Sequence, residues 1–465
     1  MLKPNSTLKN IKGIYILYFE LILIFRTIGP LILMPNLLDK LFFVSSGLIG
    51  LTIIFIDAID SIKKSNQKKF DIWLILFIAI MLISSLVNIK YGLAGNLKLI
   101  MWQAIYFFVI FQYGKDYGKK DKIFDYFFVI LIIFWFFSAI ISLWMFFTQF
   151  GVKIPMDNRY YPLRMGFLGN RLFGVFPDPN FGATISVVVI LLSVYYIKTN
   201  SNRTFTLFNS LNILLQLMFI SLSGSRTALI VLLTVTAVGM FFVSYHSKKI
   251  DSQKLFLRWI LSIISSLLTI AVLYLIIDAL KTGLSYIPSL LQMKEATLPT
   301  IDTKNNLNKV NLDRPDVSNG GDISNLRFSL WSSAVEIFKS SWLVGASAAN
   351  YIPYAHDVLP DSFIGQNTLT THNFVFLIMA STGASGLLVF FIFFVNKIYI
   401  SLKYLFGKSS LMQDMNFYVI LSVLAITISA LFITELVLVS TIGAVVIWFF
   451  LGKITSLENK DSLSK

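Results

Sequence analysis

The sequence predicts an all-α, polytopic membrane protein, and three observations carry that expectation. Of its 465 residues, 56% are hydrophobic and only 14% are charged, which is more apolar surface than a water-soluble fold can hide. The apolar residues gather in runs of about 20, the length of a helix that crosses a bilayer. The runs also lack the alternation of a membrane barrel, which leaves helices as the spanning element. A mean hydropathy of +0.74 agrees. The chain 1–465 therefore reads as one integral membrane domain.

About twelve spans are expected, near 11–34, 41–59, 71–89, 97–113, 123–150, 180–197, 205–222, 226–245, 256–278, 373–395, 415–434 and 436–452. The first contains Glu20 and Arg26 and shows no small-residue cleavage site, so it is read as a span and not as a signal peptide. Orientation follows from lysine and arginine. Lys3, Lys9 and Lys12 place the N-terminus inside. Alternate loops then carry Lys63, Lys64, Lys68 and Lys69; Lys115, Lys119, Lys120 and Lys122; Lys198 and Arg203; Lys248, Lys249, Lys254 and Arg258; and Lys397, Lys403 and Lys408. Lys453, Lys460 and Lys465 close the chain on the same side, while the first outer loops hold only Lys40, Lys90 and Lys98. Both termini are thus expected to be cytoplasmic.

Two outer segments are longer. Residues 151–179 hold Lys153, Arg159, Arg164 and Arg171 with four prolines, and read as a re-entrant or surface loop. Residues 281–371 form a large loop between spans nine and ten, of a length that is usually functional or disordered. Its part 294–321 is polar and expected to be mobile. Its part 325–338 reads as an amphipathic surface helix, with Leu326, Leu330, Ala334, Ile337 and Phe338 on one side.

The formal charge of +15 is largely the basic loops of an oriented membrane protein, so nucleic acid is not an expected partner. With no cysteine, disulfides, thiol catalysis and cysteine-ligated metal centres are excluded. The chain has no Asp-x-Asp pair, and the outer acids Asp178, Asp322, Glu336, Asp357 and Asp361 are scattered, so neither a metal nor a cofactor is expected.

Arginines on the outer side run against the orientation rule and need a reason. Arg164, Arg171, Arg226 and Arg327 all fall there, as do the starts of three spans near Asn180, Ser225 and Thr371. Guanidinium groups clamp phosphate oxygens through paired donors, and helix N-termini add partial positive charge. A diphosphate at headgroup level suits such a site. His372, one of three histidines, lies at the same boundary in the expected first turn of a helix capped by Thr370 or Thr371. Cations nearby disfavour imidazolium, so a neutral imidazole is available as a base.

Plainer readings stand beside these. His372 alone would pass for a satisfied interface residue, Arg226 for a snorkelling helix end, and Arg327 for the polar edge of a surface helix. Arg164 and Arg171 are alternatives for one role, or lipid-headgroup contacts. Glu20 with Arg26, and Glu435, are buried structural groups or pathway residues; His356 is an ordinary loop residue and His246 faces inward.

Four motifs together resemble the O-antigen ligase/polymerase superfamily of bacterial envelope glycosyltransferases. They are Gly174-Val175-Phe176-Pro177-Asp178-Pro179-Asn180-Phe181, Leu222-Ser223-Gly224-Ser225-Arg226-Thr227, the large loop with Arg327, Trp331 and Gly345, and Thr371-His372-Asn373-Phe374 with Gly383 and Gly386. The resemblance implies a GT-C-like fold and transfer of a glycan from undecaprenyl diphosphate to an acceptor hydroxyl on the extracytoplasmic face, with inversion and without a metal. It implies His372 as the base, Arg226 and Arg327 on the diphosphate, Arg171 or Arg164 assisting, and Ser225, Asn373 and Asn180 supporting. The lipid-linked oligosaccharide and the bilayer are the implied partners, with a flippase and a chain-length regulator as candidate protein partners. Abundant Ile, Lys, Asn and Phe point to an AT-rich, Gram-positive genome, which favours polymerisation of a capsular polysaccharide or exopolysaccharide over ligation to lipid A–core or protein. The rival class is a lipid-linked oligosaccharide flippase, which should show inverted repeats and charge along a central pathway. A non-catalytic scaffold would leave the arginine–histidine group unexplained.

Overall fold

The computed structural model describes residues 6–63, 69–118, 121–156, 162–247, 250, 253–295, 309–314 and 324–458. Lys3, Lys64, Lys68, Lys119, Lys120, Arg159, Lys248, Lys249, Asp322, Lys460 and Lys465 lie outside the described residues, as does most of 294–321.

Each expected span falls on a helix. These are α1 (Ser6–Thr27), α2 (Asn36–Lys63), α3 (Ile72–Val87), α4 (Leu93–Tyr117, with a π-helical stretch Tyr106–Phe111), α5 (Lys122–Phe147), α6 (Pro179–Thr199), α7 (Arg203–Ser223), α8 (Arg226–Tyr245) and α9 (Leu255–Ser285). After the short α10 (Ile287–Glu295), α11 (Arg327–Ser340), α12 (Tyr351–Val358) and α13 (Phe363–Asn367) come α14 (Phe374–Gly407), α15 (Met415–Ala430) and α16 (Ile442–Glu458). Among the described residues eight helices are long and apolar enough to cross a membrane: α2, α4 to α9 and α14. The apolar helices α3 and α15 are shorter.

Within the segment expected as a re-entrant or surface loop, 151–179, the described residues include an antiparallel sheet of β1 (Gly151–Ile154), β2 (Leu163–Leu168) and β3 (Arg171–Gly174), in the order β1-β2-β3. Gly169 and Asn170, both at positive φ, make the two-residue turn between β2 and β3, the conformation that Gly and Asn favour in hairpins. The sheet anchors on α5, where the Val175 amide donates to Ser142 Oγ at 3.0 Å. β3 then leads directly into α6.

α14 is broken at Gly383 (φ 65°). A backbone freed inside an apolar layer must be satisfied by the chain itself. Here Ala346 donates to Ala380 O (2.8 Å) and Ala384 donates to Trp342 O (2.7 Å), so 342–347 docks into the break. Gly345 and Gly383 permit that approach: a Cβ on Gly383 would lie 2.6 Å from the Leu343 carbonyl carbon.

Two expectations are corrected. The amphipathic helix begins at Arg327, and Leu326 (45% exposed) stands outside its buried face of Leu330, Ser333, Ala334 and Ile337. That face packs against α14, where Trp331 stacks on Phe376 at 5.3 Å. Arg26 pairs not with Glu20 but with Asp39, through two bonds of 2.8 Å, because the last turn of α1 meets the first turn of α2. Glu20 is fully buried, and neither carboxyl oxygen has a hydrogen-bond partner among the described residues.

On the other side of the helices, Asp57 binds both Lys12 and Lys69 at 2.5 Å. Lys115 donates to Lys69 O, and Lys397 lies 3.8 Å from Asp71. Lys12 is 4% exposed and Asp57 fully buried, so removing the carboxylate strands a buried ammonium group. Asp57→Ala is expected to cost about 3–5 kcal/mol, read as a lower melting temperature of the detergent-solubilised protein. An unchanged melting curve would show that the cluster is solvated.

Candidate active site

Backbone hydrogen bonding at helix ends assembles the site. Asp178 caps α6, accepting from the Asn180 amide at 2.8 Å, with Pro179 in the first turn. Ser225 caps α8, accepting from Ala228 N at 3.2 Å. Asn373 caps α14, accepting from Val375 N at 2.8 Å, and its Nδ2 donates to Leu431 O at 2.9 Å. The expected cap at Thr370 or Thr371 is thereby corrected. His372 stands outside the helix, just before the cap, at φ 49°. The left-handed backbone turns the chain between Thr371, whose carbonyl accepts from Trp331 Nε1 at 3.2 Å, and the capping Asn373.

The C-terminus of α7 draws in two guanidinium groups. Terminal carbonyls carry partial negative charge and attract cations. Arg171 Nε donates to Ser223 O and Arg314 Nη1 donates to Gly224 O, both at 3.0 Å. Gly224 is left-handed (φ 61°), and a Cβ there would meet the stems of Arg171 and Arg314 at 3.2 and 3.4 Å. Arg171 Nη2 also reaches Asn180 Oδ1 at 3.3 Å, and Asn180 Nδ2 donates to Asp178 Oδ1 at 2.9 Å. Arg226 opens α8 beside these groups.

Electrostatics ties the cluster together. Burial lowers the His372 pKa; Asp178 opposes this and Arg327 reinforces it. Burial also lowers the Arg327 pKa, with Arg226 and Arg314 acting in the same direction and Asp178 against them. His372 is thus coupled to Arg327 and Asp178, and Arg327 in turn to Arg226 and Arg314. A neutral imidazole beside concentrated guanidinium charge can accept a proton while an anion develops nearby.

The structure does not bring every expected residue into this group. Arg164 lies on β2 opposite Lys153 of β1, with its Nε buried and without a hydrogen-bond partner among the described residues. Glu435 is fully buried in the non-helical stretch between α15 and α16, accepting from Ser429 Oγ at 3.0 Å. His246 contacts Leu405 O and His356 contacts Thr368 Oγ1, both apart from the cluster. Among the described residues no group of three or more His, Asp or Glu could hold a metal ion. Two members were not anticipated from sequence. Arg314 falls in the segment expected to be the large outer loop, so the argument from charge orientation applies to it equally. Asp178 carried a cap signal in Asp-Pro-Asn but was grouped with the scattered acids.

Many apolar helices carrying a buried polar cluster at their ends define a multi-pass membrane protein. Residues 211–391 match the model of the O-antigen ligase family, so that stretch of the chain is similar to the family. That stretch includes Ser225, Arg226, Arg314, Arg327, His372 and Asn373, whereas Arg164, Arg171, Asp178 and Asn180 precede it. A comparison with curated proteins returns no match.

Gly224→Ala forces a side chain into the left-handed region, at about 1–2 kcal/mol, and into the two arginine stems. The expected result is a lower melting temperature with reduced activity. Full stability and activity would show that the α7 end does not need its glycine.

Proposed function

We propose that the protein is a polysaccharide polymerase of the extracytoplasmic membrane face, with twelve spans, a GT-C-like fold and both termini cytoplasmic. It transfers a glycan from undecaprenyl diphosphate to a hydroxyl of a lipid-linked repeat unit. The observation that carries this reading is that His372, its pKa lowered by burial, lies within reach of Arg327, which in turn meets Arg226 at the start of α8 and Arg314 at the end of α7.

The acceptor oxygen forms the new glycosidic bond as its proton passes to His372. The anomeric C–O bond breaks on the opposite side, and the diphosphate departs with the electron pair. Arg226 and Arg327 meet the growing charge. Asp178 favours the imidazolium that results, and Arg171 holds the α6 and α7 ends in place. Inversion follows from the single displacement, and neither metal nor nucleotide sugar takes part.

The test supplies a synthetic undecaprenyl-diphosphate repeat unit, with chelator, to purified wild type and His372→Ala. A product ladder from wild type, reduced about 10²–10⁴-fold in the variant, is expected. A ladder in both removes His372 as the base. Product only when a different acceptor is added marks a ligase, and a ladder that needs metal overturns the metal-free mechanism. Because the histidine is held below its usual pKa, the neutral form predominates at pH 6.5 and above. Rate should fall as acid takes the pH through the lowered pKa, with the midpoint of the acid limb below pH 6.5. A midpoint at or above pH 6.5 contradicts this.

The natural absence of cysteine makes orientation directly testable. On intact cells, a membrane-impermeant maleimide should label Asp361→Cys and spare Lys63→Cys. The reverse pattern would invert the topology.

A further inference from the structure

Residues Lys309–Arg314 form a short segment held at three points. The Val310 amide donates to Ser285 O at the end of α9 (3.0 Å), and Asn170 in the β2–β3 turn donates to Asp313 O (2.7 Å). Arg314 is bound to Gly224 O at the end of α7. Between these anchors Leu312 points inward, 7% exposed. The segment thus links three elements distant in sequence, although it has no regular structure of its own.

Under it lies a cavity of about 410 Å³ between α7, α8 and α9. Its apolar wall comes from Ile220, Leu229, Ile277 and Leu312, and Tyr274, 51% exposed, stands at its edge on α9. Its charged lining comes from Arg226, Arg314 and Lys281, with Asp278 and Asp313. A cavity of about 290 Å³ adjoins the segment and shares Asp278, Lys281, Leu312 and Asp313, but is otherwise lined by Thr282, Lys309, Val310 and Asn311. An apolar chamber, a cationic zone and a polar chamber follow one another around a single strip of backbone.

We propose that Lys309–Arg314 is a clasp that completes a binding pocket for an isoprenoid diphosphate lipid. Arg314 is a positioning residue for the diphosphate, and Leu312 covers the first isoprene units. The carboxylates of Asp278 and Asp313 suit hydroxyl donors of the attached sugar, not phosphate oxygens. This assignment rests on the polymerase reading for the identity of the lipid. It adds to that reading the place where the lipid is held and the segment that closes over it.

The test uses the purified full-length chain in phosphatidylcholine nanodiscs, with retained ligand read by native mass spectrometry. Undecaprenyl diphosphate, inorganic diphosphate and phosphatidylglycerol are the probes. Wild type should retain undecaprenyl diphosphate at the lowest concentration. Arg314→Gln should weaken it about tenfold or more, with partial recovery in Arg314→Lys. Leu312→Asn should weaken undecaprenyl diphosphate and leave inorganic diphosphate unchanged, a split that a merely misfolded variant would not produce. In turnover, Arg314→Gln should raise KM more than it lowers kcat. Unchanged retention in Arg314→Gln, at a dose where Arg226→Gln loses it, overturns the clasp, as does equal retention of phosphatidylglycerol. A wild type that neither retains undecaprenyl diphosphate nor makes a ladder overturns the polymerase reading itself. A wild type that makes a ladder with an Arg314→Gln KM equal to its own overturns only the clasp.

Discussion

Backbone amides and carbonyls at helix ends have no partner within the helix, and an apolar layer offers them no water. That constraint shapes this protein wherever its spans begin, end or break. Asp178, Ser225 and Asn373 meet it at three N-termini. Arg171 and Arg314 meet it at the end of α7, and residues 342–347 meet it at the break in α14. The groups recruited for this purpose are the ones that make up the site. Structural satisfaction and chemistry are therefore not separate at this end of the molecule: a side chain that caps a helix also sets the local charge.

The charge balance is correspondingly uneven. Arg226 and Arg314 act on Arg327, and Arg327 acts on His372, with Asp178 as the opposing charge on both. Gathering like charges in a partly buried place is unfavourable unless a strong anion comes to sit among them. The α7 carbonyls offset part of that cost through Arg171 and Arg314. A bound diphosphate would offset more, so an anion is expected both to bind there and to stabilise the fold.

Much of this was legible in the sequence because the bilayer imposes strong rules. Helices were readable from apolar length, and Arg171, Arg226 and Arg327 stood out because they break the alternating pattern that the other lysines and arginines follow along the sequence. What escaped depended on contacts across sequence. The sheet at 151–174 hides in short segments whose one strong signal is the Gly169-Asn170 turn. Arg314 sits 90 residues from its carbonyl partner, and no local pattern links the two. The break at Gly383 lies inside a run that reads as continuous, because only the docking of Gly345 reveals why glycine is required. His372 precedes the helix and does not open it, since threonine and asparagine compete as caps and Asn373, which accepts from Val375 N and donates to Leu431 O, is the one that caps α14.

The interruption at Gly383 divides labour along a single span. The first part of α14, from Phe374 to Thr382, is moored to α11 by the Trp331–Phe376 stack and to the large loop by the 342–347 backbone. Trp331 also donates to Thr371 O, so the helix that opens with Arg327 is tied to the residue before His372. Arg171, Arg226 and Arg314 gather instead at the ends of α7 and α8. The join at Gly383 is made by main-chain bonds, so its strength does not depend on which side chains stand beside it, provided the two glycines leave room for the approach.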